Sequence, residues 1–428
     1  MNHRETRRVA IIGGIRIPFC RSHTAYAELS NQDMMTTVLD GLVEKYQLGG
    51  ECLGDVALGA LIKHSSDWNL ARECVLGSSL APETPAFDLQ RACGTGLEAV
   101  ILVGNKIALG QIDSGIAGGT DTISDTPIVY PPEYQQMLLQ SVRGRSIGAK
   151  LKPWLKLRPR FFKPSFPGVT EPRTGLSMGE STELTAKAWG IDREAQDELT
   201  YTSHRNTAVA YQEGFYTDLV MPYQGVSQDN NLRPDTTLAK LAALKPVFDK
   251  GPDGTLTAGN STPLTDGAGA VLLASEEWAA KRNLSVLAFL TYGKVAAVDF
   301  VNRDRDSLLM APAYSVSNML KDADLRLSDF DFYEIHEAFA AQVLATLKAW
   351  ESTEFCRDRL GRDAALGSID RGRLNIKGGS LAMGHPFAAT GARIVAGLAK
   401  LINNAGSGRG LISICTAGGM GVTAILEK

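Results

Sequence analysis

The sequence predicts an α/β protein of two similar layered units, with an irregular insert inside the first. Three observations predict it. Short apolar runs alternate with helix-period stretches up to about residue 125, and again from about Leu287 to the end. Between residues 126 and 250 the alternation is broken. A short motif of the first unit also returns near the end of the second, as duplication of one α/β fold would produce. The expected units are therefore 1–284, with the insert at about 126–250, and 285–428.

Taken in order, Val9-Ala10-Ile11-Ile12-Gly13-Gly14 reads as a short buried strand ending in a turn. It begins as a dinucleotide fold would, but no third glycine follows and Pro18 stands where a helix should open. In the insert, no acidic residue lies between Glu133 and Glu171, yet eight basic ones do: Arg143, Arg145, Lys150, Lys152, Lys156, Arg158, Arg160 and Lys163. Prolines 153, 159, 164, 167 and 172 forbid one long helix there. Beyond it, apolar spacing predicts a helix over Gly179–Gly190, and Asp192 caps another over Arg193–Tyr211. The α/β pattern resumes near Leu256. Gly410–Leu426 is uncharged for 17 residues but holds four glycines, so it reads as a buried strand–turn–strand rather than a membrane span. The repeated motif pairs Cys93-Gly94-Thr95-Gly96-Leu97-Glu98-Ala99-Val100 with Ala388-Ala389-Thr390-Gly391-Ala392-Arg393-Ile394-Val395. Each copy precedes a glycine-flanked strand, Ser114–Gly119 and Gly410–Gly419.

The totals narrow the function. A chain of 428 residues exceeds what one hydrophobic core fills. Its net charge of −3 gives no global attraction for nucleic acid or membrane. The six cysteines form no CxxC pair and no zinc-spaced cluster, so no structural metal is expected. Met1–Arg8 is charged and runs into Val9–Ile12, too short for a signal-peptide core. The expectation is a cytoplasmic protein with reduced thiols and no transmembrane segment.

Four segments carry candidate chemistry. In Arg91-Ala92-Cys93-Gly94-Thr95-Gly96, small neighbours leave a sulfur approachable where a helix begins, and a helix N-terminus favours thiolate. In Gly378-Gly379-Ser380-Leu381-Ala382-Met383-Gly384-His385-Pro386, a histidine sits between glycine and proline, suited to a general base. Cys415-Thr416-Ala417-Gly418-Gly419-Met420-Gly421 follows an apolar strand and offers a second thiol with exposed backbone N–H donors. His336-Glu337-Ala338-Phe339-Ala340 places polar side chains where a strand gives way to a helix, at a rim where ligands bind. Each segment alone also fits a structural role.

Together, in this order and across the whole chain, the four segments resemble thiolases. Arg16-Ile17-Pro18-Phe19, Gly118-Gly119-Thr120-Asp121, Ser177-Met178-Gly179 and Thr257-Ala258-Gly259-Asn260-Ser261-Thr262 support the match. The resemblance implies duplicated α-β-α-β-α layers, acylation of Cys93, activation by His385 and proton transfer by Cys415. It further implies oxyanion stabilisation by His385 with His336 and by the backbone of Cys93 and Ala417, and substrate or CoA contacts at Met178, Ser261 and Thr262. Three departures stand out. His336 replaces the usual asparagine, which resembles the long-chain, trifunctional-type branch. Ala417 stands where glycine is usual, and Thr262 where many relatives have serine.

The implied reaction is thiolysis of 3-ketoacyl-CoA by CoA, which is a substrate, with no metal or redox cofactor. The implied setting is fatty-acid β-oxidation, in a homodimer or homotetramer that could join a hydratase–dehydrogenase subunit. The alternatives are a biosynthetic acetyl-CoA acetyltransferase, a ketoacyl synthase using His336 and His385, and a non-catalytic acyl-CoA-binding homologue. The basic insert, with Trp154, Leu155, Leu157, Phe161 and Phe162 among its charges, reads as a loop over the substrate pocket, a CoA-phosphate attractor, or a docking surface for a partner or membrane. The remaining cysteines, and His3, His23, His64 and His204, read as structural or surface residues.

Overall fold

The computed structural model describes residues 6–166, 168, 170–302 and 307–428, so the readings of His3 and Pro167 lie outside the described residues. The first half runs β1 (Val9–Arg16), β2 (Cys20–Arg21), α1 (Asn31–Tyr46), β3 (Asp55–Leu58), α2 (Leu70–Gly77), β4 (Ala86–Asp88), α3 (Thr95–Ala108) and β5 (Ser114–Asp121). The insert contributes α4 (Pro132–Arg143), α5 (Ile147–Leu151), α6 (Met178–Trp189), α7 (Arg193–Gln212) and α8 (Leu238–Ala242). Then come β6 (Thr265–Ser275), α9 (Glu276–Lys281), β7 (Ala288–Ala297), α10 (Ala311–Asp322), β8 (Phe332–Ile335), α11 (Ala340–Glu351), α12 (Thr353–Asp358), α13 (Ser380–Met383), α14 (Ala389–Ala405), β9 (Arg409–Thr416) and β10 (Met420–Glu427).

Duplication is written into the sheet. Its order is β4-β3-β5-β6-β1-β7-β10-β9-β8, with β2 on β6. In the first half β3 lies parallel to β5, β5 antiparallel to β6, and β6 antiparallel to β1. The second half repeats this with β8, β9, β10 and β7. The halves join where Val9–Ile11 of β1 pairs antiparallel with Ala288–Leu290 of β7.

Strand alternation then sets five layers, because successive side chains face opposite sides. Val9, Ile11, Val271 and Leu273 point inward with Ile412, Ile414, Val422 and Ala424, enclosing α3 and α14 between the two sheet halves. Ala10, Ile12, Ala270 and Leu272 point outward against α1 and α2. Leu411, Cys415 and Ile425 point outward on the other side, against α10 and α11. The glycines of the repeated motif explain themselves in the central layer. A Cβ on Gly96 would collide with Ala388 O, and one on Gly391 with Leu97 N, so the two helices touch backbone to backbone where they begin.

The insert divides in two. Helices α6 and α7 begin at capped positions, Ser177 in a capping box with Glu180 and Asp192 accepting from Ala195 N–H, and both pack on α11. The stretch around α4 and α5 has a small core of its own, Tyr134, Met137 and Phe161, and leaves Val142, Ile147, Leu155 and Phe162 exposed. Among the described residues, no helix is long and apolar enough to cross a membrane.

Candidate active site

Between β4 and α3 the chain makes a tight turn. Arg91 N–H donates to Thr95 Oγ1 (2.8 Å), and that hydroxyl donates to Ala92 O (2.7 Å). The turn drives Ala92 to φ 45°, a left-handed conformation that costs a non-glycine residue about 1–2 kcal/mol. Gly94 follows because a Cβ there would press on Thr416 and Val422. Cys93 is thereby held half-buried at the rim of the strand layer, one residue before the N-cap of α3. Its own backbone N–H and that of Ala417 are the nearby donors that favour an ionised sulfur. The expected thiolate character is not met. Burial, helped by the Asp121 carboxylate, pushes the thiol up to about 12, and the two N–H groups offset only part of that. Resting Cys93 is a thiol that needs a base.

His385 follows α13 on a loop where Gly384 takes φ 100°, and its own N–H donates to Thr265 Oγ1 (2.7 Å). Its Nδ1 lies 2.6 Å from Thr390 Oγ1. With the Thr390 hydroxyl donating to Pro386 O (3.1 Å), it is left to accept the Nδ1 proton. In that arrangement Nε2 carries the lone pair, buried and without a hydrogen-bond partner among the described residues. Burial, with the Arg393 guanidinium nearby, holds this imidazole neutral by lowering its pKa to about 3.

His336 leaves the end of β8, and its ring centroid lies 4.0 Å from that of His385. Its Nδ1 meets Ser380 Oγ at 2.9 Å, its Nε2 is buried with no partner among the described residues, and burial holds it well below the ordinary histidine range. Adjacent Glu337 does not cap its own helix. It accepts from Ser203 Oγ (2.7 Å), Asn375 Nδ2 (2.6 Å) and Leu381 N–H (3.1 Å), tying the β8 end to the loop that carries His385.

Cys415 lies one residue before the end of β9, buried, with burial and the neighbouring Cys93 sulfur raising its pKa well above the ordinary thiol value. The turn into β10 places positive φ on Gly418 (78°) and Gly419 (70°) and not on Ala417. Alanine therefore fits at 417 without strain and keeps its N–H.

Cys93, His385, Cys415 and Ala417 line one apolar cavity of about 250 Å³ with Met178, Phe248, Leu309, Phe339 and Phe387. Thr262, Pro263 and Phe248 line both this cavity and a larger groove of about 580 Å³, which holds Ser261, Arg21, Arg233 and Lys240. Met178 and Thr262 thus reach the cavity, and Ser261 the groove. The Thr262 hydroxyl is committed to Ala338 O (2.9 Å), leaving it only acceptor capacity toward a ligand. No residue from 143 to 163 lines either space. The expected loop over the pocket is absent from both walls.

The roles of several site residues escaped sequence reasoning. Thr390 and Ser380 orient the histidines, and buried Asp121 accepts from Leu61, Ile62 and Ala388 N–H (2.8–2.9 Å), with burial raising its pKa to about 7. Thr390 carried one signal, its place in the repeated motif. Among the described residues, no group of three or more His, Cys, Asp or Glu side chains gathers as a metal site.

Known proteins share this frame. Residues 9–277 match the thiolase N-terminal domain and residues 290–428 the thiolase C-terminal domain. A 3-ketoacyl-CoA thiolase of Pectobacterium carotovorum subsp. carotovorum (strain PC1) is 41% identical over 426 residues, covering 98% of this chain and 96% of that one. Another, of Yersinia pestis (strain Pestoides F), is 40% identical over 430 residues, with 99% and 98% covered. In structure, the Bacillus anthracis acetyl-CoA acetyltransferase superposes with a TM-score of 0.81 at 28% identity, covering 99% of both chains. Human mitochondrial 3-ketoacyl-CoA thiolase does so with a TM-score of 0.80 at 28% identity, covering 99% of this chain and all of its own. On full-length matches to both of its domains, with the fold in common, this chain belongs to the thiolase family.

Proposed function

We propose that the protein is a 3-ketoacyl-CoA thiolase, an acyltransferase that cleaves 3-ketoacyl-CoA with CoA through an acyl-Cys93 intermediate. The observation that carries this reading is the convergence of Cys93, His385 and Cys415 on one apolar cavity. Curated relatives with that name, about 40% identical over nearly the full chain, support it.

In the proposed cycle, His385 Nε2 takes the Cys93 proton and the thiolate attacks the 3-keto carbon. The resulting oxyanion sits against the Cys93 and Ala417 N–H groups. Cleavage of the C2–C3 bond leaves acyl-Cys93 and an acetyl-CoA enolate, whose thioester oxygen faces His385 and His336. Cys415 protonates the enolate carbon, and acetyl-CoA departs. Incoming CoA gives its thiol proton to Cys415 and attacks the acyl group. Cys93 leaves as thiolate and recovers its proton from His385. Every step uses side chains, backbone and CoA. The apolar cavity suits the acyl end, and the groove with Arg21, Arg233 and Lys240 suits the CoA phosphates.

Replacing Cys93 with alanine tests the reading. Thiolysis of acetoacetyl-CoA and formation of acyl-enzyme should both vanish, and turnover near the wild-type rate would remove Cys93 from the role. A biosynthetic acetyl-CoA acetyltransferase would use the same groups, and the Bacillus anthracis neighbour bears that name. Rates along a series from acetoacetyl-CoA to long-chain 3-ketoacyl-CoA separate the two, and His336 favours the longer-chain, trifunctional-type branch. With that branch go three further proposals: a role in fatty-acid β-oxidation, a cytoplasmic location, and a homodimer or homotetramer able to bind a hydratase–dehydrogenase subunit. The half-buried edge strand β4 and the exposed apolar–basic face of the insert are surfaces open to such contacts.

A further inference from the structure

The two site histidines lie against each other with both Nε2 atoms buried and, among the described residues, without partners. Were both bare acceptors, they would present two lone pairs to one small space and repel an oxyanion. Their outer nitrogens decide the matter. For His385, the Thr390 hydroxyl is spent on Pro386 O, so Nδ1 carries the proton and Nε2 the lone pair.

His336 has the opposite arrangement. Its Nδ1 partner, Ser380 Oγ, accepts a hydrogen bond from Arg393 Nη2 (3.1 Å), and a guanidinium can only donate. Among the described residues, the Ser380 hydroxyl hydrogen then has His336 Nδ1 as its acceptor, at 2.9 Å. If Nδ1 were instead the donor, that hydroxyl hydrogen would be buried without a partner, at the usual cost of an unmade bond.

We propose that Ser380, oriented by Arg393, is a positioning residue that holds His336 in the Nε2–H tautomer, so that the histidine pair rests as one donor and one acceptor. The idea rests on the catalytic reading of His385 and His336 given above. Once His385 Nε2 takes the Cys93 proton, both Nε2–H groups face the thioester oxygen of the leaving enolate. The charged groups around the pair keep its resting form neutral. The Arg393 cation disfavours a second proton on either ring, and Glu334 and Glu337, each carboxyl pushed up by burial, offset that cation.

15N NMR of histidine-labelled, unliganded protein reads the tautomers directly, with His336 assigned by its absence in His336→Asn. The expected result is a protonated Nε2 on His336, lost or mixed with the other form in Ser380→Ala. In thiolysis, Ser380→Ala should lower kcat by about 10- to 100-fold at unchanged KM for CoA, by analogy with other groups that set a histidine tautomer. Ser380→Thr, which keeps a hydroxyl, should recover most of the loss. An Nδ1–H His336 in the wild type, or a Ser380→Ala kcat within about twofold of wild type, would overturn the proposal. Because the spectrum needs no turnover, failure of the thiolase reading would show separately, as activity surviving in Cys93→Ala.

Discussion

His385 and His204 illustrate how burial, more than any single partner, sets the chemistry of individual residues here. His204 Nδ1 accepts from Arg233 N–H (3.1 Å), and burial lowers its pKa to about 4, as it lowers that of His385 to about 3. An unfolded histidine takes up a proton below about pH 6.5, which these native rings refuse. Their contribution to stability is therefore full above pH 6.5 and falls as pH drops toward 4 or 3. At pH 5.5 each should cost about 1.4 kcal/mol relative to neutral pH. Asp121 has the opposite sign, since its pKa raised to about 7 makes the native state bind a proton that the unfolded chain releases above about pH 4. Comparing His385→Asn with wild type cancels that opposing effect. The drop in Tm between pH 7.5 and 5.5 should be smaller in the variant, and an equal drop would refute the sign.

At the scale of elements, α3 and α14 are the two copies of one motif, and their contact sets the distance between Cys93 and His385. Gly96 and Gly391 allow that contact because neither backbone has room for a Cβ. Gly96→Ala should therefore force the helices apart, costing about 1–3 kcal/mol of stability and most of the activity together. Gly397 in α14 meets nothing within 4 Å, so Gly397→Ala should stabilise by about 0.5–1 kcal/mol through helix propensity, with kcat unchanged. Thermal melts and thiolysis assays on both variants check the pair. The Thr-Gly motif was legible in the sequence as a repeat, and so were the helix over Gly179–Gly190 and the helix start at Asp192. The meaning of the motif was not legible, because a glycine at a helix crossing looks the same in sequence as a glycine in a turn. The orienting groups were hidden for a related reason. Ser380 meets His336 across 44 residues and Asp121 meets Ala388 across 267, separations that no local pattern records.

Over the whole molecule, charge is divided between two regions with different work. Arg21, Arg233 and Lys240 line the groove, whereas the eight basic residues of the insert lie away from both cavities, and none forms an ion pair with a described acidic residue. Replacing Arg233 and Lys240 with glutamine should raise the KM for CoA about tenfold, at roughly 0.7 kcal/mol per phosphate contact. Replacing Lys150, Lys152, Lys156 and Lys163 in the same way should leave that KM within about twofold. If the second set raises the KM as much as the first, the insert serves CoA after all; co-sedimentation tests its docking role. The sequence by itself determined the α/β class, the duplication, and the small-residue segments around Cys93, His385, Cys415 and His336, because strand and helix periods and flexible turns are local properties. Only the folded chain decided that β1 and β7 join the halves into one sheet, that Cys93 rests as a thiol, and that His336 and His385 meet with ring centroids 4.0 Å apart. Those outcomes depend on burial and on hydrogen bonds between distant segments, and neither exists until the layers close.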